Sequence, residues 1–106
     1  MDANQSNPVA QMMIELPRYQ SHKIVHALKI KSILFDSMAA KFINRETDGS
    51  AMITPEDDRY MSFRVEAEYV HKHQPKVGGY YVVYDDGYES WSPADAFESG
   101  YTLIEG

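Results

Sequence analysis

Four histidines and sixteen carboxylates are the side chains in this sequence with the chemistry to catalyse or to hold a metal. His22 and His26 stand at the spacing a helix would turn into a chelating pair, yet no acidic residue beside them completes an HExxH-type zinc motif, and His71 and His73 are set two apart. They read as ordinary surface histidines. Asp85, Asp86 and Glu89 crowd one turn, and Glu56, Asp57 and Asp58 crowd another. Paired carboxylates do acid and base work only when burial or like-charge crowding shifts their pKa values, and turn tips are wet. Serines are present without a GxSxG elbow, and Gly78-Gly79 lacks the Lys-Ser/Thr ending of a phosphate loop. With no cysteine there is no thiolate nucleophile, thiolate metal site or disulfide. The expectation is a non-enzymatic protein without cofactor or metal.

Binding is the better-marked chemistry. Eight tyrosines and one tryptophan are more than one small core accommodates, and Tyr80, Tyr81, Tyr84, Tyr88 and Trp91 fall within twelve positions. Exposed Tyr and Trp are frequent interface anchors, so Tyr84, Tyr88 and Trp91 are the first candidate binding residues. Lys23, Lys29 and Lys31 are the second set, lining one side of an alternating stretch where they could capture an anion. The net charge of −6 is unevenly spread: residues 1–45 carry six basic against three acidic side chains, and residues 46–106 carry four against thirteen. Opposite-sign halves attract within one fold, and they also steer charged partners. Direct nucleic-acid stacking is disfavoured, because aromatic platforms for single strands have basic surroundings and these are acidic.

The elements that must position these residues centre on Pro75 to Tyr101. Tyr80-Tyr81-Val82-Val83-Tyr84 is strand composition, Asp85-Asp86-Gly87 is a turn, and Tyr88 to Trp91 returns as a second strand. A three-residue loop with a glycine bulge is favoured over a two-residue Asp-Gly turn; the two differ by one residue of register. Ser92-Pro93-Ala94-Asp95 reads as the capped start of a short helix near 93–99, closed by Gly100 in the left-handed region, with Phe97 folding back onto the hairpin. Tyr19 to Leu34 alternates, with His22, Ile24, His26, Leu28 and Ile30 on one face and Lys23, Val25, Ala27, Lys29 and Lys31 on the other. This predicts a long antiparallel strand near 20–34, with a bulge near Ser32 where Ile33 and Phe35 change phase.

Ser37 to Ile43 fits either a short helix or an irregular strand, and Arg45 to Ser50 is a surface turn by composition. Ala51 to Ile53 is a brief strand, and Thr54-Pro55-Glu56-Asp57 repeats the pattern of a helix start. Phe63 to His73 is the main helix by the spacing of Val65, Tyr69, Val70 and His73, stopped by Pro75. The fold class is therefore α+β, with a small antiparallel sheet (near 20–34, 51–53, 79–84 and 88–91) and helices near 63–73 and 93–99. Residues 1–17 form an N-terminal extension with a short helix from Pro8 to Leu16; residues 18–106 form a single domain. No export signal or run of roughly 20 apolar residues is present, so a cytoplasmic setting without membrane insertion is expected.

Two stretches, YQSHKIVHALKIKSI at Tyr19–Ile33 and YVHKHQPKVGGYYVVYDDGYESWSPADAFESGY at Tyr69–Tyr101, resemble a group of small tailed-bacteriophage and prophage proteins. Their shared pattern is Y-x-x-H-K-x-V-x-A-L-K-I followed by G-G-Y-Y-V-x-Y-x-D-G-Y-x-S-x-S-P-A-x-A-F-x-x-G-Y. The resemblance implies phage origin and the cytoplasm of a host cell; that group brings no activity or site with it. The function expected is that of a phage-type accessory protein that binds another protein, of host or phage, and that can also form a homo-oligomer. The alternatives are a protein that sequesters a small anionic ligand or nucleotide, and an acidic mimic of DNA.

Overall fold

In the computed structural model, which describes Pro17 and residues 23–104, the strand β1 (Val25–Phe35) lies at the centre of a five-stranded antiparallel sheet. Its alternation continues to Ile30, after which the register with its neighbour shifts between Ile30 and Ser32, as the phase change in the sequence predicts. The extra residue is Lys31. Because of it Ile33 and Phe35 return to the face that Ile30 buries, and Leu34 turns to the opposite face.

A short helix, α1 (Asp36–Phe42), follows directly, settling the open choice for this segment as helix. β2 (Ala51–Pro55) then pairs antiparallel with the second half of β1, Phe35 opposite Ala51 and Leu34 opposite Met52. Thr54-Pro55 extends this strand rather than opening a helix. Pro55 is its last residue, opposite Ile30, and the ladder passes beyond it through the Glu56 N–H, which donates to the Lys29 carbonyl.

The expected helix over 63–73 is divided. Phe63–Val65 forms β3, paired with Ala51–Ile53, and the helix α2 spans Ala67–His73. The physical reason is that Phe63 and Val65 alternate with Arg64, which suits a half-buried strand, and pairing to β2 buries Val65 almost completely. Tertiary pairing outweighs the helical spacing to Tyr69. α2 ends at Gln74, a left-handed residue that precedes Pro75; the Gln74 N–H donates to the Val70 carbonyl.

β4 (Tyr80–Tyr84) and β5 (Glu89–Ser92) form the hairpin, β4 pairing with the first half of β1, so the sheet order is β3-β2-β1-β4-β5. The last helix, α3, spans Ala94–Gly100. Ser92 stays in β5 and does not cap it; its hydroxyl donates to the Pro93 carbonyl instead. Gly100 ends α3 without a left-handed φ, and the chain leaves in extended conformation at Tyr101.

The core lies on one face of the sheet, beneath α2. Ile30, Ala51, Ile53, Val65 and Tyr69 are buried together, with Ile33, Phe35, Phe63, Val70, Tyr81 and Trp91 packed around them. Each fully buried aliphatic side chain such as Ile30 or Ile53 contributes about 2 kcal/mol. The expected N-terminal helix over residues 8–16 and the start of the long strand at residues 20–22 lie outside the described residues. Among the described residues no helix is long and apolar enough to cross a membrane.

Candidate functional site

The hairpin carries the three aromatic candidates, and its register decides what each can do. The Gly87 N–H donates to the Tyr84 carbonyl (2.8 Å) and the Tyr84 N–H to the Tyr88 carbonyl (3.0 Å), which closes a three-residue loop, Asp85-Asp86-Gly87, with Gly87 at φ +90°. The Asp86 carboxylate accepts from the Tyr88 N–H at 2.9 Å and stiffens the tip. This is the longer of the two loops that the sequence allows.

On the core face, Tyr81 and Trp91 stand opposite each other. The Tyr81 ring packs 4.6 Å from Phe63 and 5.7 Å from Tyr69, and its hydroxyl donates to Glu89. The Tyr69 hydroxyl donates to the Ser90 carbonyl at 2.7 Å, tying α2 to β5. Burial, with the Glu89 carboxylate as a lesser cause, holds both phenols above the usual tyrosine range. Trp91 is half-buried; its Nε1 donates to the Lys76 carbonyl at 3.2 Å, and its ring lies so close to Gly79 that a Cβ there would come within 2.4 Å of it. Glycine at 79 is thus a condition of the tryptophan's position.

On the other face, Tyr80 stacks on Phe97 at 4.2 Å, and Phe97 stacks in turn on Tyr101 at 4.7 Å, which brings Phe97 back onto the hairpin as expected. The Tyr80 hydroxyl donates to Glu98 (2.8 Å), and Lys29 forms an ion pair with the same carboxylate (3.5 Å). Burial first, and the bond to Glu98 second, push the Tyr80 phenol up to about 12. Tyr84 lies beneath the Lys23 ammonium, 5.1 Å from its ring centre, and 6.0 Å from the Tyr88 ring. Tyr88 is the most open of the set at 44% exposure, edge-on to His73, with its hydroxyl 3.2 Å from the His73 Nε2 and Lys72 over its ring at 5.0 Å.

The structure therefore brings Lys23, Tyr84 and Tyr88 together and places Trp91 apart from them, against the core. Lys29 is committed to Tyr80 and Glu98, while Lys31 stands exposed at the bulge of β1. His26 lies on the exposed part of β1, and among the described residues no three His, Cys, Asp or Glu side chains gather as metal ligands.

No family model matches the chain, and no curated protein matches it. A solved structure does: the NMR solution structure of the monomeric form of the phage L decoration protein. The match has a TM-score of 0.54 and 30% identity, covering 79% of this chain and 55% of that one. The chain is similar to a phage decoration protein. It spans about half the length of that neighbour. The likeness agrees with the phage character implied by the two sequence stretches.

Sequence reasoning missed a second surface. Leu34, Met38, Phe42, Ile43 and Met52 are all large, apolar and exposed, and all belong to the end of the sheet where β1 passes into α1. The available signals were Met38 and Phe42, four apart on one side of a short helix, and Leu34, which the bulge inverts. Next to them the loop after α1 is cross-linked rather than loose. The Asp36 carboxylate accepts from both Arg45 terminal nitrogens (3.0 and 2.7 Å), from the Thr47 hydroxyl (2.9 Å) and from the Asp48 N–H (3.1 Å). Asp48 accepts in turn from the Ser50 hydroxyl at 2.6 Å and from Arg64 at 3.0 Å. The Arg45 guanidinium, before the other donors, holds the Asp36 carboxyl well below the usual carboxylate range.

Proposed function

We propose that this chain is a phage accessory structural protein that binds the protein shell of a phage particle. The observation that carries the reading is the likeness, in both fold and sequence, to a phage decoration protein across the larger part of the chain. Exposed large apolar side chains at the α1 end support protein binding as the mode of action. Tyr88, with Tyr84 against it and Lys23 and Lys72 beside, suits a peripheral contact, whereas Trp91 suits a support for the hairpin. The anion-sequestering alternative loses ground because Lys29 and Lys23 are engaged with Glu98 and Tyr84 instead of being turned toward a common ligand.

The test is co-sedimentation of the purified protein with shells of the encoding phage that have been stripped of accessory proteins, before and after shell expansion. Saturable binding with a fixed number of copies per shell is expected. No binding to either form at micromolar protein would rule the reading out.

A further inference from the structure

Among the described residues, the α1 end of the sheet gathers five exposed large apolar side chains. Leu34 is 56% exposed and stands directly across from Met52 on the outer face; Met38 (58%) and Phe42 (89%) share one side of α1, and Ile43 (67%) follows. Monomeric surfaces carry isolated apolar side chains as a matter of course, but five large ones at one end of a small domain mark a contact. Lys31, three residues before Leu34, and Lys41, on α1, are exposed, and among the described residues neither belongs to an ion pair. Arg45, Arg59, Arg64 and Lys29 are all paired with carboxylates.

We propose that this surface is the one that meets the shell, and that its partner there is a protein surface with an apolar hollow flanked by carboxylates. The inference rests on the shell-binding reading and adds to it the contact face and the chemistry of the partner. Lys31 on the same strand as Leu34 and Lys41 next to Phe42 on α1, neither in an ion pair among the described residues, call for carboxylates across the interface. A symmetric pair of copies would not supply them, since a two-fold contact sets the same patch against itself and places Lys31 and Lys41 of one copy near those of the other. The supporting structure suits a fixed contact. Asp36, the first residue of α1, is held by Arg45, Thr47 and Asp48, so the apolar side chains project from an anchored helix and strand instead of a loose loop.

The test uses Phe42→Lys, Leu34→Lys and Met52→Lys in the full chain, with stripped shells as the probe. These side chains are exposed, so circular dichroism and the melting temperature should stay at the unaltered values while shell binding weakens by roughly 30-fold or more for Phe42→Lys and Leu34→Lys. Lys31→Glu combined with Lys41→Glu should weaken it further at low salt than at high salt. If the unaltered chain binds shells and the variants bind as well, this surface is overturned while shell binding stands. If the unaltered chain fails to bind, both fall. If sedimentation shows that the unaltered chain self-associates, that the variants are monomeric, and that shell binding is unchanged, the face belongs to a second copy and the proposal is likewise overturned.

Discussion

The hairpin end and the α1 end of this sheet are both rich in large apolar side chains, and they use them in opposite ways. At the hairpin Tyr80, Tyr81, Tyr84, Tyr88 and Trp91 each have a ring, a cation or a hydrogen-bond partner within the same chain. At the α1 end Phe42, Ile43, Met38 and Leu34 project into solvent while the polar groups behind them are fully engaged. Aromatic abundance alone is therefore a poor guide to where a partner binds. What distinguishes the two ends is whether the chain has already satisfied the side chains that it displays.

The sharpest way to break this contrast is to truncate a side chain at each end. Trp91→Ala removes a ring packed on the core and is expected to destabilise the fold by about 3 kcal/mol, read as a shifted denaturant midpoint. A midpoint within about 0.5 kcal/mol of the parent would return Trp91 to the exposed anchors. Gly79→Ala should cost about 2 kcal/mol, because the added methyl meets the rigid Trp91 indole rather than a flexible chain end. In the Trp91→Ala background that cost should largely disappear, and additive costs would show that the close approach does not matter. Gly87→Val should lose about 1 kcal/mol or more, since it forces a β-branched residue to φ +90°.

The two ends should also respond to opposite extremes of pH. Tyr69, Tyr80 and Tyr81 keep their protons in the folded state beyond the usual tyrosine range, so folding binds protons more tightly than the unfolded chain and stability should fall as pH rises above about 10. Asp36 and Asp48 have the reverse sign. Their folded carboxyls are depressed, by Arg45 and by Ser50 foremost, so their contribution is present above the unfolded value near 4 and is lost as pH falls below it. Amide exchange should accordingly quicken first in residues 36–50 in acid and first around β4, β5 and α2 in base; the same order at both extremes would contradict the division. At the small end of the scale, Phe42→Ser and Tyr88→Ala should change stability by less than about 0.5 kcal/mol, and Tyr88→Ala should alter shell binding less than about threefold.

Much of this arrangement was legible in the order of residues. The hairpin register, the return of Phe97 and the slip after Lys31 all follow from local rules, since turn chemistry and alternation act over a few residues. Phe63–Val65 was not legible, because its preference for β2 is a long-range pairing that coincides with a helical spacing to Tyr69. Thr54-Pro55 misled for a related reason: the same dipeptide that begins helices also ends a strand when its neighbour supplies the next hydrogen bond. The apolar end was hidden because Leu34 and Met52 alternate correctly for strands, and only the completed sheet shows that both remain exposed.

The shared strand β1 also sets an order of events for the chain as it folds. Phe35 finds Ala51 across one short helix and loop, and Tyr81 finds Trp91 across a tight turn, so the β1–β2–β3 half and the hairpin can each form from near neighbours. Lys29 meets Tyr80 only across half of the sequence. Closing that long loop is the step with the greatest entropic cost, and it completes both halves at once by giving the first part of β1 its partner. Side chains that cross this seam, such as Tyr81 against Phe63, should therefore govern the folding rate, while Trp91 within the hairpin should govern chiefly how fast the finished structure comes apart.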